Sequence, residues 1–331
     1  MRTPSFTTFV DVKPGKEYTN EELPFSFSGI KERTGIERRR LIDPDSEDIK
    51  TIGIQVVKAL FETLDIGPKD CVGLVLGSTA AREQKRHEVT TIARSVATQT
   101  GIRGEVAGVN YACSNFPAAV EFALKIAKNT GKHVLVVIAE TLSRLVDWND
   151  ESVAVLFGDR GAGTTIHDDG HEILDAHAEA IKDPDGLISL VSKYNARLSR
   201  DEWGARDCIR MNGPQLYRQV PQKMLEIIVD ALDRRRMNPT DLSTIVHHQA
   251  NGKFAEKIRK LLKVKGWNGM EVVDEIACMG NVGGASIPSA LSRIQDRLVP
   301  DTVVSCPTVG AGPDFAENQL TIGHVMFRVR S

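Results

Sequence analysis

Hydrophobic positions along the chain form short continuous runs that alternate with longer amphipathic stretches. The runs at 71–76, 132–139 and 302–306 are apolar and rich in β-branched residues, which is typical of buried strands. Between such runs, apolar residues recur at helical spacing, as in 49–61 and 215–236. This alternation of strands and helices predicts an α/β fold.

The alternation occurs twice along the chain. Each occurrence reads as β-α-β-α-β, with a polar or nucleophilic residue at a corner where a strand passes into a helix. We therefore predict two halves, 1–170 and 171–331, although they share little sequence. The first 45 residues or so are polar and turn-rich, and no strand is predicted there.

Residues 158–163 form a glycine-rich segment. It follows a predicted strand at 153–157 and precedes another at 164–166. A phosphate-binding loop would continue with Lys and then Ser or Thr, which do not follow here, so a Walker motif is rejected. We predict a tight turn between antiparallel strands.

One cysteine is the strongest chemical candidate on local grounds. Cys113 lies between a predicted strand at 104–109 and a predicted helix whose apolar positions begin at Phe116. At such a corner the positive end of the helix dipole favours the thiolate, which is the nucleophilic form. A lone cysteine is also commonly a small buried hydrophobe, so the local pattern leaves both interpretations open.

Composition and charge exclude several classes of protein. The chain has 331 residues with a formal net charge of -2, so nothing indicates a general attraction to nucleic acid or membrane. The five cysteines form no CxxC pair, which argues against a zinc site or a disulfide scaffold. Neither a signal segment nor a membrane-spanning run is present, so we expect a cytoplasmic protein that binds no nucleic acid or membrane.

Three polar residues occur in contexts that are informative together. They are Cys113 in Ala-Cys-Ser-Asn, His248 in His-Gln-Ala-Asn and Asn281 in Gly-Asn-Val-Gly-Gly-Ala-Ser. Further strings of the same kind lie at 33–36, 157–159, 211–213 and 310–312. Each string is weak alone, but in this joint order the chain resembles the β-ketoacyl-[acyl-carrier-protein] synthase III family of the thiolase superfamily over nearly its whole length.

The resemblance implies a thiolase-like fold in which two fused halves form a five-layered αβαβα architecture, assembled as a homodimer. It implies a catalytic site of Cys113, His248 and Asn281 at the base of a tunnel for a pantetheine arm. Cys113 would accept an acyl group from an acyl thioester, expected to be acyl-CoA. Malonyl-acyl carrier protein would then lose CO₂ and condense with that group to give a 3-oxoacyl thioester. No cofactor or metal is expected.

The resemblance also implies how negative charge is stabilised in the two half-reactions. His248 and the side-chain amide of Asn281 would donate to the enolate that forms on decarboxylation. A second oxyanion hole would use the backbone N–H of Cys113 and that of a glycine, either Gly310 or Gly312.

Basic and polar residues near the expected tunnel mouth are candidates to bind CoA or the carrier protein. Arg33 matches a family position that contacts CoA phosphates. Asn251, Lys253 and Lys257 follow the histidine motif, the two lysines on a predicted basic helix that would suit an acidic partner. A plain solvated face is the alternative for this helix, and also for the basic run at 31–40.

Two departures from the family concern the substrate. Gly29 stands where the family commonly has a tryptophan that packs on adenine, which weakens the expectation of CoA binding. The charged segment 82–88 replaces an apolar residue that closes the acyl pocket in the family. Because an unpaired buried charge is costly, either this segment faces solvent or the acyl group is short and polar or carboxylated. Arg82, Glu88 and Arg144 are the candidate pocket residues.

Two alternatives keep the fold but change the activity. One is an acyltransferase of secondary metabolism that passes the acyl group to an oxygen or nitrogen nucleophile. The other is a non-catalytic partner subunit of a ketosynthase complex, against which the intact Cys113, His248 and Asn281 argue. Release of CO₂ from a malonyl thioester separates condensation from acyl transfer, and failure of Cys113 to be acylated would favour the partner subunit.

Overall fold

Strands and helices alternate through most of the chain, as the hydrophobic pattern predicts. The computed structural model describes residues 3–23, 27–79, 86–128, 130–193, 206–313, 316 and 318–331. Its strands are β1 (Ser5–Val12), β2 (Lys16–Thr19), β3 (Arg38–Leu41), β4 (Cys71–Gly77), β5 (Glu105–Val109), β6 (His133–Thr141), β7 (Asp159–His167), β8 (His171–Lys182), β9 (Ile188–Lys193), β10 (Arg206–Met211), β11 (Leu242–Ile245), β12 (Glu271–Val272), β13 (Val303–Ala311) and β14 (Gln319–Arg328). Its α-helices are α1 (Ile30–Thr34), α2 (Ile49–Leu64), α3 (Arg86–Thr100), α4 (Asn115–Ala127), α5 (Glu151–Ala154), α6 (Gly213–Arg235), α7 (Gly252–Val264) and α8 (Ser286–Ile294).

Ten of the strands form one mixed sheet with a symmetric order. The order is β12-β11-β13-β14-β8-β1-β7-β6-β4-β5. The contact between β8 and β1 divides the sheet into a first side, β1-β7-β6-β4-β5, and a second side, β8-β14-β13-β11-β12. On each side one strand, β7 or β14, runs antiparallel to the other four. The turn at 168–170 separates the two sets of strands, and it remains the boundary that we propose between halves 1–170 and 171–331.

The helices form three layers around the two sides of the sheet. α2 and α3 cover the outer face of the first side, and α6 and α7 cover the outer face of the second. α4 lies between the sides, because it contacts β4 and β6 on one side and β8 and β14 on the other. The predicted α/β fold with five αβαβα layers is confirmed.

Four phenylalanines fill the centre of the molecule. Phe6, Phe9, Phe116 and Phe327 are at most 1% exposed, and neighbouring rings lie 5.4 to 6.5 Å apart. Two of them belong to β1, so the N-terminal segment contributes a central strand and the prediction of a merely turn-rich segment is wrong. A bulge between Phe6 and Phe9 puts residues three apart on one face, which hides the alternation of a strand.

The predictions for 153–157 and for the glycine-rich run are also wrong, whereas the strand predicted at 164–166 is confirmed as part of β7. Glu151–Ala154 is a short helix, and the glycine-rich run lies within strand β7 instead of forming a turn. The glycines serve packing, because a Cβ at Gly161 would lie 2.5 Å from the side chain of Ile52, and one at Gly163 would lie 2.6 Å from that of Val56. Both contacts belong to α2, which therefore packs directly on the backbone of β7.

The basic run at 31–40 is not uniformly solvated. The side chain of Arg39 is fully buried and donates hydrogen bonds to the carbonyl oxygen of Val155 and to Asn20 Oδ1. Burial lowers the pKa of this guanidinium to about 10, so it stays charged at pH 7. Within the described parts of the chain, no helix has the length and apolar character that crossing a membrane requires.

Candidate active site

Cys113 lies at a sharp corner between β5 and α4. The backbone turns through a 3₁₀ segment, Ala112–Ser114, and α4 begins at Asn115. Ala112 has a left-handed φ of 47°, which is uncommon for a residue that carries a side chain. The predicted passage from strand through a sharp turn into a helix is confirmed.

Residues from both sides of the sheet hold this corner in place. Asn115 Oδ1 accepts a hydrogen bond of 2.6 Å from the backbone N–H of Tyr111. Thr308 on β13 forms a hydrogen bond of 2.7 Å with the Ser114 hydroxyl. Gly310 packs directly on the cysteine, because a Cβ there would lie 2.6 Å from Cys113 Cβ. A larger residue at Gly310 would therefore displace Cys113.

A cavity of about 50 Å³ lies beside the thiol. Cys113, His248 and Asn281 all line it, so the structure brings the three predicted catalytic residues together. Most of the remaining lining is apolar, including Leu142, Phe157, Ile209, Met211, Val220 and Phe254. Among the described residues, no Asp, Glu, Lys or Arg side chain lines this cavity.

The enclosure of Cys113 changes the expected state of its thiol. Burial, with a smaller contribution from the carboxylate of Glu140, raises the pKa of the thiol to about 12. The backbone N–H groups of Cys113 and Ala311 act in the opposite direction but are outweighed. Burial has a larger effect on this thiol than the helix N-terminus, so it opposes the thiolate that the local sequence pattern favours.

The second N–H group at the sulfur belongs to Ala311. Its interaction with the Cys113 sulfur favours the thiolate. The expectation that Gly310 or Gly312 donates to an oxyanion stays a prediction. Gly310 provides the room that Cys113 needs, and Gly312 packs against the carbonyl oxygen of Ala316.

His248 follows β11 and is held by a serine from α8. It is 2% exposed, and its Nδ1 lies 2.8 Å from the Ser286 hydroxyl oxygen. Burial, with a smaller contribution from the neighbouring His247, lowers the pKa of this imidazole to about 3. His248 is therefore neutral at pH 7, with Nδ1 engaged and Nε2 left for the cavity.

The backbone and side chain of Asn281 are both anchored. Its N–H donates to the carbonyl oxygen of Leu156 at 2.9 Å, and its own carbonyl accepts from the N–H of Gly158 at 3.0 Å. Its Oδ1 accepts a hydrogen bond of 3.0 Å from the N–H of Gly283. The amide nitrogen Nδ2 is thus left as the donor that can serve the cavity.

Glu140 is a fully buried residue near the end of β6, and the sequence pattern did not indicate it as part of the site. Its carboxylate accepts hydrogen bonds from Thr79 N (2.8 Å), Thr79 Oγ1 (3.0 Å), Asn115 Nδ2 (3.0 Å) and Gly284 N (3.1 Å). Burial nevertheless raises the pKa of Glu140 to about 7. The one available signal was a charged residue at the end of an otherwise apolar strand.

Two of the expected contacts for CoA or carrier protein lie at a wider groove. Arg33 and Asn251 line an open groove of about 600 Å³, and Met211 lines both this groove and the cavity at Cys113. Arg33 forms an ion pair with Glu151, a partner that the sequence did not indicate. Asn251 caps α7, because its Oδ1 accepts a hydrogen bond from the N–H of Lys253 at 2.9 Å.

The predicted basic helix is confirmed as α7, but its two lysine candidates differ. Lys253 is about half exposed and lies 3.8 Å from Glu256. Lys257 donates to the carbonyl oxygens of Tyr217 at 2.9 Å and Arg218 at 3.0 Å, both on α6. Lys257 therefore links two helices of the protein itself.

Of the three charged acyl-pocket candidates, the two that the structure describes lie away from the cavity. Arg82 lies outside the described residues. Glu88 is half-buried in the first turn of α3, and Arg144 is exposed just after β6. Neither of the two lines the cavity beside Cys113.

Known proteins match both the sequence and the structure. Family models for 3-oxoacyl-[acyl-carrier-protein] synthase III and for its C-terminal part match residues 108–181 and 232–317. A β-ketoacyl-[acyl-carrier-protein] synthase III of Microcystis aeruginosa is 30% identical, covering 95% of this chain and 94% of its own length.

Two solved structures share the fold over essentially the whole chain. The 3-oxoacyl-(acyl carrier protein) synthase III of Pseudomonas aeruginosa has a TM-score of 0.79 at 21% identity, covering 100% of this chain and 99% of its own. The corresponding structure from Aquifex aeolicus has a TM-score of 0.78 at 25% identity, covering 98% and 99%.

Proposed function

The chain belongs to the β-ketoacyl-[acyl-carrier-protein] synthase III family of condensing enzymes, and we propose that it joins an acyl group carried on Cys113 to a malonyl unit. The observation that supports this proposal most directly is the cavity shared by Cys113, His248 and Asn281. In the proposal, the cysteine is the nucleophile and the other two residues are hydrogen-bond donors. Covalent catalysis of this kind divides a difficult carbon–carbon bond formation into two easier steps.

In the first half-reaction, the Cys113 sulfur attacks the carbonyl carbon of an acyl thioester. The carbon–sulfur bond to the carrier breaks, and the thiol proton of Cys113 ends on the departing thiol, so no net proton is needed. The N–H groups of Cys113 and Ala311, which lie at the sulfur, are the proposed donors to the oxyanion of this step.

In the second half-reaction, a malonyl thioester loses CO₂ and its enolate attacks the acyl carbonyl. Charge collects on the thioester oxygen, where Nε2 of His248 and Nδ2 of Asn281 are the proposed donors. Cys113 leaves as a thiolate and takes up one proton from solvent, which balances the loss of CO₂ from the malonyl carboxylate and is in keeping with the raised pKa of its thiol. The apolar lining limits the access of water to the enolate.

The cavity supports a short, uncharged acyl group. Its lining is apolar, and a carboxylated acyl group would place a charge there without a described partner. We propose acyl-CoA as the donor and malonyl-acyl carrier protein as the extender, with Arg33, Asn251, Lys253 and Lys257 as contacts. The exposed Lys253 suits an acidic partner better than Lys257, whose ammonium group is already engaged. A homodimer is part of the proposal.

Intact mass spectrometry tests loading and substrate choice in one experiment. The protein is incubated with acetyl-, octanoyl- and glutaryl-CoA, and separately with the same acyl groups on a carrier protein. We expect one acyl mass to be added, fastest from the acetyl donor. Cys113→Ala should abolish the added mass. Cys278→Ala should retain it, because Cys278 is a partly buried cysteine outside the cavity.

Addition of malonyl-acyl carrier protein to the loaded protein then tests condensation. We expect release of CO₂ together with a 3-oxoacyl thioester. Loading without CO₂ release would favour transfer to an oxygen or nitrogen nucleophile. Failure of every thioester to load would favour a non-catalytic partner subunit, and a preference for glutaryl thioesters would contradict the uncharged acyl group.

A further inference from the structure

Beyond the three expected catalytic residues, we propose that Ser286 is a positioning residue that keeps the hydrogen of neutral His248 on Nε2. Ser286 touches neither substrate nor reacting atoms in this proposal and acts only through His248. The inference rests on the proposed function, because it specifies how His248 is prepared to stabilise the enolate.

The contacts of Ser286 are short and enclosed. It is the first residue of α8, and it is 1% exposed. Its hydroxyl oxygen lies 2.8 Å from His248 Nδ1 and 3.3 Å from the backbone nitrogen of Gln249. Water is therefore a poor competitor for either contact.

The direction of these hydrogen bonds follows from counting protons. The N–H of Gln249 can only donate, so the Ser286 oxygen accepts from it. The hydroxyl proton then needs an acceptor, and among the described residues Nδ1 of His248 is the one within hydrogen-bond distance. If Nδ1 carried the hydrogen instead, a buried O–H group would have no acceptor, which is costly.

His248 is neutral in the folded protein, so its ring carries one hydrogen. An imidazolium would carry hydrogen on both nitrogens, but burial lowers the pKa of His248 far below 7. A single hydrogen remains, and with Nδ1 accepting from Ser286 it lies on Nε2. The residue thus presents a donor to the cavity before a substrate arrives, and no rearrangement is needed when charge develops on the thioester oxygen.

The same helix offers a matched control. Ser289 lies one turn further along α8 and is 0% exposed. Its hydroxyl has no hydrogen-bond partner in the described part of the structure. Ser289→Ala therefore removes an equally buried serine oxygen from α8 without touching His248.

Two partial reactions separate a positioning role from a structural one. Ser286→Ala should lower kcat for CO₂ release from malonyl-acyl carrier protein by about tenfold, which corresponds to one lost hydrogen bond of ordinary strength. We expect KM for the malonyl thioester, and the rate of acyl loading on Cys113, to change by less than about twofold, since neither depends on the donor at Nε2. Ser286→Thr keeps a hydroxyl and should recover most of the rate, and Ser289→Ala should leave both reactions unchanged.

Nitrogen-15 NMR of labelled histidine reads the tautomer without any turnover. The His248 signals are assigned by their loss in His248→Gln. We expect the Nε2–H tautomer in the natural protein and a mixture of tautomers or ring orientations in Ser286→Ala. The tautomer of His248 can be measured even if the natural protein fails to load an acyl group. Failure of the proposed function and failure of this inference are therefore distinguishable.

Three results would overturn the inference. The first is hydrogen on Nδ1 of His248 in the natural protein. The second is an equal loss of acyl loading and CO₂ release in Ser286→Ala, which would indicate general damage to the site. The third is the same loss of CO₂ release in Ser289→Ala. If Ser286→Ala does not fold, the NMR result on the natural protein and the activity of Ser286→Thr still decide the question.

Discussion

The strand-to-helix corner that carries Cys113 faces a second corner from the other side of the sheet, and the two have nearly the same backbone. The first corner is Tyr111–Pro117 and the second is Val282–Pro288. Each has a left-handed residue, Ala112 with φ of 47° or Gly283 with φ of 54°, then a 3₁₀ turn. Each continues into a helix with proline at its third position.

The two corners differ in the residue at the middle of the turn. Cys113 occupies it in the first corner and Gly284 in the second. A Cβ at Gly284 would lie 2.6 Å from Asn115 Cβ and 2.9 Å from Glu140 Oε1, both of which support the first corner. The fold therefore repeats the backbone but has room for only one side chain, so only one corner can carry a nucleophile.

Each corner is also held by a strand from the opposite side of the sheet, with different chemistry. Thr308 on β13 bonds to Ser114 in the first corner, and Glu140 on β6 accepts from the N–H of Gly284 in the second. Only Glu140 can carry a charge. That charge contributes to the raised pKa of the Cys113 thiol, so the support of the second corner affects the chemistry of the first.

Among substitutions at the two corners, we expect Gly284→Ala to have the largest effect on stability and on acyl loading. The new methyl group would overlap Asn115 and Glu140, and overpacking of this kind costs roughly 1–3 kcal/mol of the free energy of unfolding. Because displacement of a reactive group by about 1 Å can cost 10²-fold, we expect acyl loading on Cys113 to fall by about that factor. Urea unfolding and the initial rate of acyl loading measure the two effects.

Gly67→Ala is the control for Gly284→Ala. A Cβ at Gly67 would meet only a side-chain oxygen of Asp70, at the ordinary contact distance of 3.9 Å. We expect both its stability and its loading rate to match the natural protein. Natural loading in Gly284→Ala would show that the second corner tolerates a side chain and that the steric explanation is incorrect.

An intermediate effect, with a defined pH dependence, is expected from Glu140→Gln. Burial raises the pKa of Glu140 from 4.5 to about 7, so the folded protein binds more protons than the unfolded chain between these values. The free energy of unfolding of the natural protein should therefore fall as pH rises from 4.5 to about 7. Glutamine cannot ionise and lacks this contribution.

Urea unfolding of both proteins at pH 5 and pH 8 tests this prediction. Relative to the natural protein, Glu140→Gln should gain up to about 3 kcal/mol between pH 5 and pH 8. Asp159, whose pKa burial raises to about 6, contributes equally to both proteins and cancels in the comparison. Parallel pH profiles would mean that Glu140 does not titrate in this range.

The smallest effect is expected from exchanging the left-handed residues. Ala112→Gly relieves the strain of φ at 47° but removes a buried methyl group, so the free energy of unfolding should change by no more than about 1 kcal/mol. Gly283→Ala introduces the same strain and a Cβ 3.0 Å from Leu142 Cδ1, so it should destabilise by roughly 1–2 kcal/mol. Thermal unfolding of both variants measures the difference. Equal effects would show that Ala112 is not strained.

Features that depend on neighbours in the chain could be predicted from the sequence. Helix α2 and strands β4 and β6 follow from hydrophobic spacing, since their patterns extend over several residues. The corner at Cys113 follows from a strand pattern that passes directly into a helix pattern. The order of the Cys113, His248 and Asn281 motifs was sufficient to identify the family.

Features that depend on distant contacts could not be predicted. The bulge in β1 interrupts the alternation of buried positions, so the sequence pattern did not indicate a central strand. The glycines of β7 are typical of a turn, but they lie in a strand because α2 packs directly on the backbone there. The sequence pattern indicated Glu140 only as the last part of a strand. Its carboxylate accepts hydrogen bonds from Thr79, Asn115 and Gly284, which the pattern did not predict. In each case the partner lies far away in sequence, so local spacing contains no record of it.

The sequence by itself therefore determined which elements form, which family the chain belongs to and which cysteine is the candidate nucleophile. Tertiary structure alone decided the state and surroundings of that cysteine. Burial raises the pKa of the Cys113 thiol, and the N–H of Ala311 interacts with its sulfur. Gly284 has no side chain, which leaves room for Asn115 and Glu140 beside the first corner. The physical reason is that desolvation and close packing depend on every atom around a group, and most of those atoms come from the other half of the chain.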